Sequence, residues 1–328
     1  MTQKHVRITE RIINRLKLRQ LRLLIAVDRH RSILHAAREL NLSQPAATKM
    51  IKDLEIDFDV PLFERTNRGV IPTVFGAALI RNGRLIFSQI AATAQELDDL
   101  ADGSSGRIVV GTLLAASSRL LPLAIARVLR DRPKLAVRIV EGSNEILMPR
   151  LHAGELDMVV GRLPVLRHRS DLRQVRLFDD PIVVVAGPRH PLCAHPAPGF
   201  DALRPYGWVL PPPETTLRRQ IDQFFVAQDQ FVPVQSVESV SFLTNTGLLR
   251  ETDMVCALPG QVAAAAVASG MLARLGVDLP FGNGPVGASF RANSSLSPAA
   301  EGFLAALQEV AAEAAPLQPI SASDSQGQ

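Results

Sequence analysis

Between residues 44 and 52 the chain offers an amide, a hydroxyl and two ammonium groups, on Gln44, Thr48, Lys49 and Lys52. Such groups hydrogen-bond the edges of bases or neutralise phosphates. Ala47, Met50, Ile51 and Leu54 recur among them at helical spacing, so one face of a helix is buried and the polar set points outward. Ser43 stands ahead of this helix as a hydroxyl cap, and Pro45 fits its first turn. A shorter helix is predicted before it, from a Ser32 cap through Ile33, Ala36, Ala37 and Leu40, stopping at Asn41, a residue tolerant of positive φ. An earlier helix, from about Lys17 to Arg29, sets Leu18, Leu21, Leu24, Ile25 and Val27 against Arg19, Arg22 and Arg29. Two helices joined by a tight turn, the second with a free polar face, have the geometry of a helix-turn-helix in the major groove.

The segment that follows adds a basic arm. Pro61-Leu62-Phe63, then Glu64 to Gly69, then Val70-Ile71-Pro72 read as a short β-ribbon turning at Asn67-Arg68-Gly69, with Arg65 and Arg68 near its tip and Phe63 in its core. Charge agrees with this placement: residues 1–72 hold fourteen Lys/Arg against eight Asp/Glu, whereas the remainder is close to neutral. A basic excess confined to one end points to a polyanion partner there. From Thr73 a long helix is expected over about Val74 to Ala101. Leu79, Gly83, Ile86, Ile90, Thr93, Leu97 and Leu100 step along it by four and three, the spacing of a coiled-coil seam, and the expected dimer contacts are Leu79, Ile86, Ile90, Leu97 and Leu100. Residues 103–106, Gly-Ser-Ser-Gly, mark a joint.

Beyond the joint, short Val/Ile-rich runs alternate with helical stretches, which predicts parallel α/β sheet. The order suggests two lobes, with the chain crossing near Phe178–Pro181 and returning near Phe281–Gly287. Open α/β sheets bind ligands beyond the carboxyl ends of their strands. Candidate contacts there are Leu113, Leu114 and Ala115 as an apolar wall, and Ser117 and Ser118 as the opening of a helix suited to an anion. Ser143, Asn144 and Arg162 lie on the same lobe, with Thr215, Thr216, Ser239 and Ser241 opposite. Together they suit a carboxylate held at its charged end.

Other chemistries find little support. The pattern Gly282-Asn283-Gly284-Pro285-Val286-Gly287 leads into a strand rather than a helix, so it lacks the context of dinucleotide binding. There is no nucleophile elbow, no phosphate loop and no metal-ligand spacing among seven histidines and two cysteines. No cofactor or metal is expected, and Cys193 and Cys256 read as small core residues. No apolar run approaches a membrane span, and Met1 to Arg15 is polar and basic, so a cytoplasmic protein without a membrane partner is expected.

Four motifs stand in order at the spacing found in LysR-type transcriptional regulators: Leu18-Arg19-Gln20-Leu21, Ala36-Ala37-Arg38-Glu39-Leu40, Ser43-Gln44-Pro45-Ala46 and Leu62-Phe63-Glu64-Arg65. The chain resembles that family from about Leu16 to Val310. Gly154 to Leu163 and Gly284 to Gly287 resemble the branch that regulates aromatic-acid catabolism or sugar-binding-protein operons. The resemblance implies an α+β protein: a basic extension (1–15), a winged helix-turn-helix (16–73), a linker dimerisation helix (74–102) and a hinge (103–106). It then implies a two-lobed domain like a periplasmic binding protein (107–315), one lobe at 107–179 and 281–315 and the other at 180–280, and a disordered tail (316–328). It implies no enzyme but a regulator with operator DNA, RNA polymerase and a small-molecule effector as partners, assembled as a homodimer and then a homotetramer. The expected effector is an organic or aromatic acid. A sugar-responsive relative, or a small-molecule-binding α/β protein with a basic dimerisation arm, is the alternative.

Overall fold

A computed structural model describes residues 15–66, 69–102, 106–164, 171–195, 197–227, 236–277, 279, 284–292 and 295–313. Arg68, most of the expected hinge, residues 1–14 of the expected N-terminal extension, the tail and the start of the return between lobes lie outside the described residues. The chain divides into two units, one running to Ala94 together with Ala153–Glu155, the other comprising Gln95–His152 and the chain from Leu156 onward.

The first unit opens with α1 (Leu18–His30), α2 (Ile33–Glu39) and α3 (Gln44–Phe58). Their start and stop signals act as the side chains suggest. Ser32 Oγ accepts from His35 N and Ser43 Oγ from Ala46 N, while Asn41 takes φ 52° in the turn. Leu21, Leu24, Val27, Ala36, Ala37, Ala47, Ile51 and Leu54 form the buried core, and Leu23 belongs to it as well. Leu18, expected as the first residue of the α1 stripe, instead stands half exposed. An antiparallel ribbon follows, β1 (Phe63–Thr66) with β2 (Gly69–Pro72), in the register Phe63 to Pro72 and Thr66 to Gly69. Glu55 Oε1 accepts from Leu62 N at 2.8 Å and Phe63 N at 3.3 Å, which ties α3 to the ribbon's first strand. Gly69 has φ +102°, and a Cβ there would stand 2.5 Å from the Arg31 carbonyl, so only glycine lets the ribbon lie against the end of α1. Thr73 Oγ1 then accepts from Gly76 N and caps α4 (Val74–Asp102).

The second unit contains two five-stranded sheets. The first takes β3 (Gly106–Thr112), β4 (Leu135–Glu141), β5 (Met158–Arg162), β6 (Leu172–Asp180) and the late strand β12 (Gly284–Arg291), in the order β4-β3-β5-β12-β6. The second takes β7 (Ile182–Ala186), β8 (Trp208–Leu210), β9 (Ser236–Glu238), β10 (Val255–Pro259) and β11 (Ala273–Arg274), in the order β11-β7-β10-β8-β9. The expected all-parallel arrangement is corrected here. β3 pairs in parallel with β4 and β5, but β12 runs antiparallel to both of its neighbours, as does β7 to β10 and β11. A buried Val/Ile run specifies a strand but not its direction.

Helices α5 (Leu114–Ser117), α6 (Leu120–Asp131), α7 (Asn144–His152) and α11 (Pro298–Glu313) accompany the first sheet, and α8 (Thr216–Ala227), α9 (Phe242–Glu251) and α10 (Gly260–Ala268) the second. α7 continues through Pro149. The first lobe's core gathers Ile108, Val110, Met158, Val286, Phe303 and Leu307. The second is centred on Val184, Trp208, Leu210, Phe225 and Val255. The chain crosses from one sheet to the other at Pro181, directly after Asp180.

Candidate operator and effector sites

On α3, Gln44, Pro45, Lys49 and Lys52 are exposed and Thr48 is half-buried. The N-terminal end of α3 also carries the positive end of the helix dipole, which favours an anion. Arg19, Arg22, Arg29 and Arg38 are exposed on the neighbouring helices. Arg65 lies in β1, and Phe63 packs against the unit's core as its type suggested.

Along α4 the expected seam divides. Leu79 packs on the unit's own core, and Gly83 is buried with Leu21 Cδ2 and Ile25 Cδ1 at 3.2 and 3.6 Å from where a Cβ would stand. Arg84 donates to Asp28 Oδ2 on α1 at 2.8 Å. The first three turns of α4 are therefore docked within the chain, and Leu79, one of the expected dimer contacts, is half-buried against that core. Ile86, Ile90 and Leu97 form an apolar stripe, 40%, 43% and 62% exposed, and the side chain of Leu100, the last expected contact, lies outside what the structure describes.

In the second unit several candidates serve local structure. Leu113 packs with Leu147, Leu151, Leu156 and Val159, and Ala115 belongs to the core of the first lobe. Leu114 packs against the core cluster of the other lobe that includes Val185, Cys256 and Val262. Ala115 is buried, while Leu113 and Leu114 are half-buried. Ser117 and Ser118 close α5 rather than open α6: Ser117 Oγ donates to the Leu114 carbonyl at 2.8 Å, Ser118 is exposed, and the cap position of α6 is Arg119. Thr215 Oγ1 accepts from Arg218 N, Thr216 Oγ1 accepts from Arg219 Nη2, and Ser241 Oγ accepts from Thr244 N. Ser239 Oγ accepts from Ser241 N. Ser143 lends its carbonyl to Ile146 and Leu147 at the start of α7.

Asn144 and Arg162 are brought together. Asn144 Nδ2 donates to the Arg162 carbonyl at 3.4 Å, and Arg162 Nη2 donates to the Asp180 carbonyl at 2.7 Å, where the chain changes lobes. Asp157, near enough in sequence to pair with Arg162, instead accepts from Val109 N at 2.7 Å. Burial lowers the pKa of the Arg162 guanidinium, opposed by the charges of Asp180 and Asp179.

Two residues absent from the sequence reading complete this group. Asp180 is fully buried, and its Oδ1 accepts from Gln261 N at 3.1 Å in the first turn of α10. Burial pushes its carboxyl up to about 6, against the Gln261 amide, the Arg162 charge and the Gly260 amide. The only signal in the sequence was an acid pair ahead of Pro181 at the lobe crossing. Arg219 and Glu145 were missed as well, and they pair across the lobes at 3.4 Å.

Comparison with known proteins decides the family. Residues 18–77 match the family described as bacterial regulatory helix-turn-helix protein, lysR family, and residues 101–312 match the LysR substrate binding domain. The chain belongs to the LysR family. It is 33% identical to the transcriptional regulator GbpR of Azospirillum brasilense over 90% of this chain and 86% of that protein. It is 31% identical to PcaQ of Agrobacterium fabrum over 91% and 96%. Among solved structures, a full-length OxyR variant from Pseudomonas aeruginosa superposes with TM-score 0.64 at 24% identity, covering 93% of this chain and 100% of that one. CbnR in complex with its target DNA gives TM-score 0.62 at 21% identity, over 90% and 100%.

This LysR-type protein is a DNA-binding transcriptional regulator with an effector-binding domain, and not an enzyme. Consistent with that, the glycine pattern at 282–287 runs as strand from Gly284. Cys256 is buried, its thiol pushed up to about 12, but Cys193 is exposed, which corrects its reading as a core residue. Among the described residues no helix is long and apolar enough to cross a membrane, and no group of three His, Cys, Asp or Glu is placed to hold a metal ion.

Proposed function

We propose that this LysR-type regulator reads its operator with α3 and the ribbon, and answers to a small organic acid held between the lobes near Arg162. Gln44 and Thr48 address base edges, while Lys49, Lys52, Arg65 and Arg68 address phosphates. Ile86, Ile90 and Leu97 join two copies, and pairs of dimers present four reading heads. Effector binding shifts the lobes and with them the arrangement of those heads on DNA. The observation that carries the reading is the Ser43-capped helix with Gln44, Lys49 and Lys52 exposed on one face.

The test is fluorescence anisotropy with duplex DNA selected from a random pool, beside a scrambled duplex. Gln44→Ala is expected to weaken the selected duplex by about 1–3 kcal/mol and leave the scrambled one nearly unchanged. Lys52→Ala is expected to weaken both. An unchanged ratio in Gln44→Ala removes the base-reading role. For assembly, Ile86→Asp with Ile90→Asp is expected to abolish association in sedimentation. For the effector, calorimetric titration of carboxylates into the full chain and its Arg162→Ala variant is expected to show loss of affinity in the variant.

A further inference from the structure

Arg31 directly follows α1 and takes φ 52°, the left-handed region that residues other than glycine seldom occupy. That turn aims its carbonyl at the ribbon. The Arg31 carbonyl accepts from Val70 N at 2.9 Å, and a Cβ on Gly69 would stand only 2.5 Å from the same oxygen. The seat of β2 against the end of α1 is thus set by the backbone of a strained residue. One carboxylate holds that residue from within α1. Asp28 Oδ1 pairs with Arg31 Nη1 at 3.3 Å, and Asp28 Oδ2 accepts from Arg84 Nη2 on α4 at 2.8 Å. The Asp28 side chain is 15% exposed, and both of its oxygens are engaged by guanidinium groups. Charge-assisted contacts of a carboxylate shielded in this way are firmer than those of an open surface pair.

We infer that Asp28 is a positioning residue for DNA binding: clamped by Arg84, it holds the left-handed turn at Arg31 and so fixes the seat of β2 and of the ribbon as a whole. This rests on the reading above in which the ribbon meets phosphates, and it adds the residue that sets the ribbon's place. Asp28 itself touches no DNA in this role. It acts through Arg31, whose carbonyl the ribbon uses. The sign of its effect separates this role from a purely electrostatic one. A carboxylate that only added negative charge near a duplex would repel phosphates, so neutralising it would raise affinity. Neutralising a positioning carboxylate lowers affinity, because the ribbon loses its place and a phosphate contact with it.

The experiment measures the full chain against the selected and scrambled duplexes by anisotropy over a range of about 50 to 200 mM salt, beside hydrogen exchange at the Val70 amide. Asp28→Asn keeps the side chain's size and removes its charge. It is expected to weaken both duplexes about three- to tenfold, and to make the logarithmic salt dependence shallower by about one, the share of one phosphate contact. The ratio between the duplexes should hold, since α3 is untouched. Exchange at the Val70 amide should quicken while the Leu54 amide in α3 keeps its rate. Arg31→Gly takes a positive φ without strain, so adding it to Asp28→Asn is expected to restore protection at Val70. Higher affinity in Asp28→Asn, an unchanged salt slope or unchanged Val70 exchange overturns the inference. So does a loss of Val70 protection that Arg31→Gly fails to rescue. If Arg65→Ala flattens the slope where Asp28→Asn does not, the phosphate role of the ribbon stands without Asp28. If neither variant changes the slope, both readings fall.

Discussion

The candidate operator face and the candidate effector site are built on opposite plans. The first lies on one fifteen-residue helix, capped by its own serine and backed by its own apolar stripe. The second draws on β5, α7, the lobe crossing and α10, elements that only the assembled fold makes neighbours. Chemistry written along a single helix is governed by local spacing. Chemistry assembled from four elements depends on two sheets and on the strand directions within them.

If the two plans reflect independent cores, they should come apart on heating. Phe303 is fully buried in the first lobe of the effector unit. Phe303→Ala is expected to remove about 3–5 kcal/mol and to lower one calorimetric transition, leaving the transition of the Leu24-centred unit in place. A single transition that moves as a whole would erase the distinction.

The second expected effect is electrostatic and confined to the effector unit. Asp180 has a folded-state pKa raised to about 6 from an ordinary 3.8, so between those values the folded state binds the proton more tightly. Stability then falls as pH rises from about 4 to about 6. The deficit, roughly 3 kcal/mol, is fully present above about pH 6 and is relieved below about pH 4. Asp180→Asn should flatten that slope in urea titrations taken at pH 4.5 and 7. A slope unchanged by the substitution would assign the pH dependence elsewhere.

A smaller change sharpens the comparison from the other side. Gly83→Leu places a branched side chain where a Cβ already stands 3.2 Å from Leu21 Cδ2, and overpacking of this kind costs about 1–3 kcal/mol. It should lower only the transition of the DNA-reading unit. The smallest effect is expected from Arg219→Ala. Its pair with Glu145 spans the lobes but is half exposed, so the loss should be about 0.2–1 kcal/mol and vanish at high salt.

The same contrast explains what could be read before the fold was seen. The caps at Ser32, Ser43 and Thr73, the positive φ at Asn41 and the buried stripe of α3 all follow from spacing within a few residues. β6 escaped notice because Arg173, Arg176, Asp179 and Asp180 break its apolar run, as suits an edge strand with one face exposed. Antiparallel β12 was legible as a strand but not in its direction. Ser117, Thr215 and Ser241 are the residue types that bind anions, yet such hydroxyls as readily satisfy their own backbone, and here they do. Asp180 and Gln261 carried no periodic signal at all. Their importance comes from contacts between positions far apart in the chain.

The docking of α4 on α1 has a mechanical consequence. With Gly83 nested against Leu21 and Ile25 and Arg84 tied to Asp28, α1 and the first turns of α4 turn as one rigid head on a shaft. Each residue of an α-helix adds about 100° of rotation and about 1.5 Å of length. One residue inserted beyond Ile90 would therefore swing the head about a quarter turn out of phase, while seven would bring it nearly back into register. In the regulator proposed above, angular phase along this helix, more than its reach, would set which operator spacings two such heads can grip together.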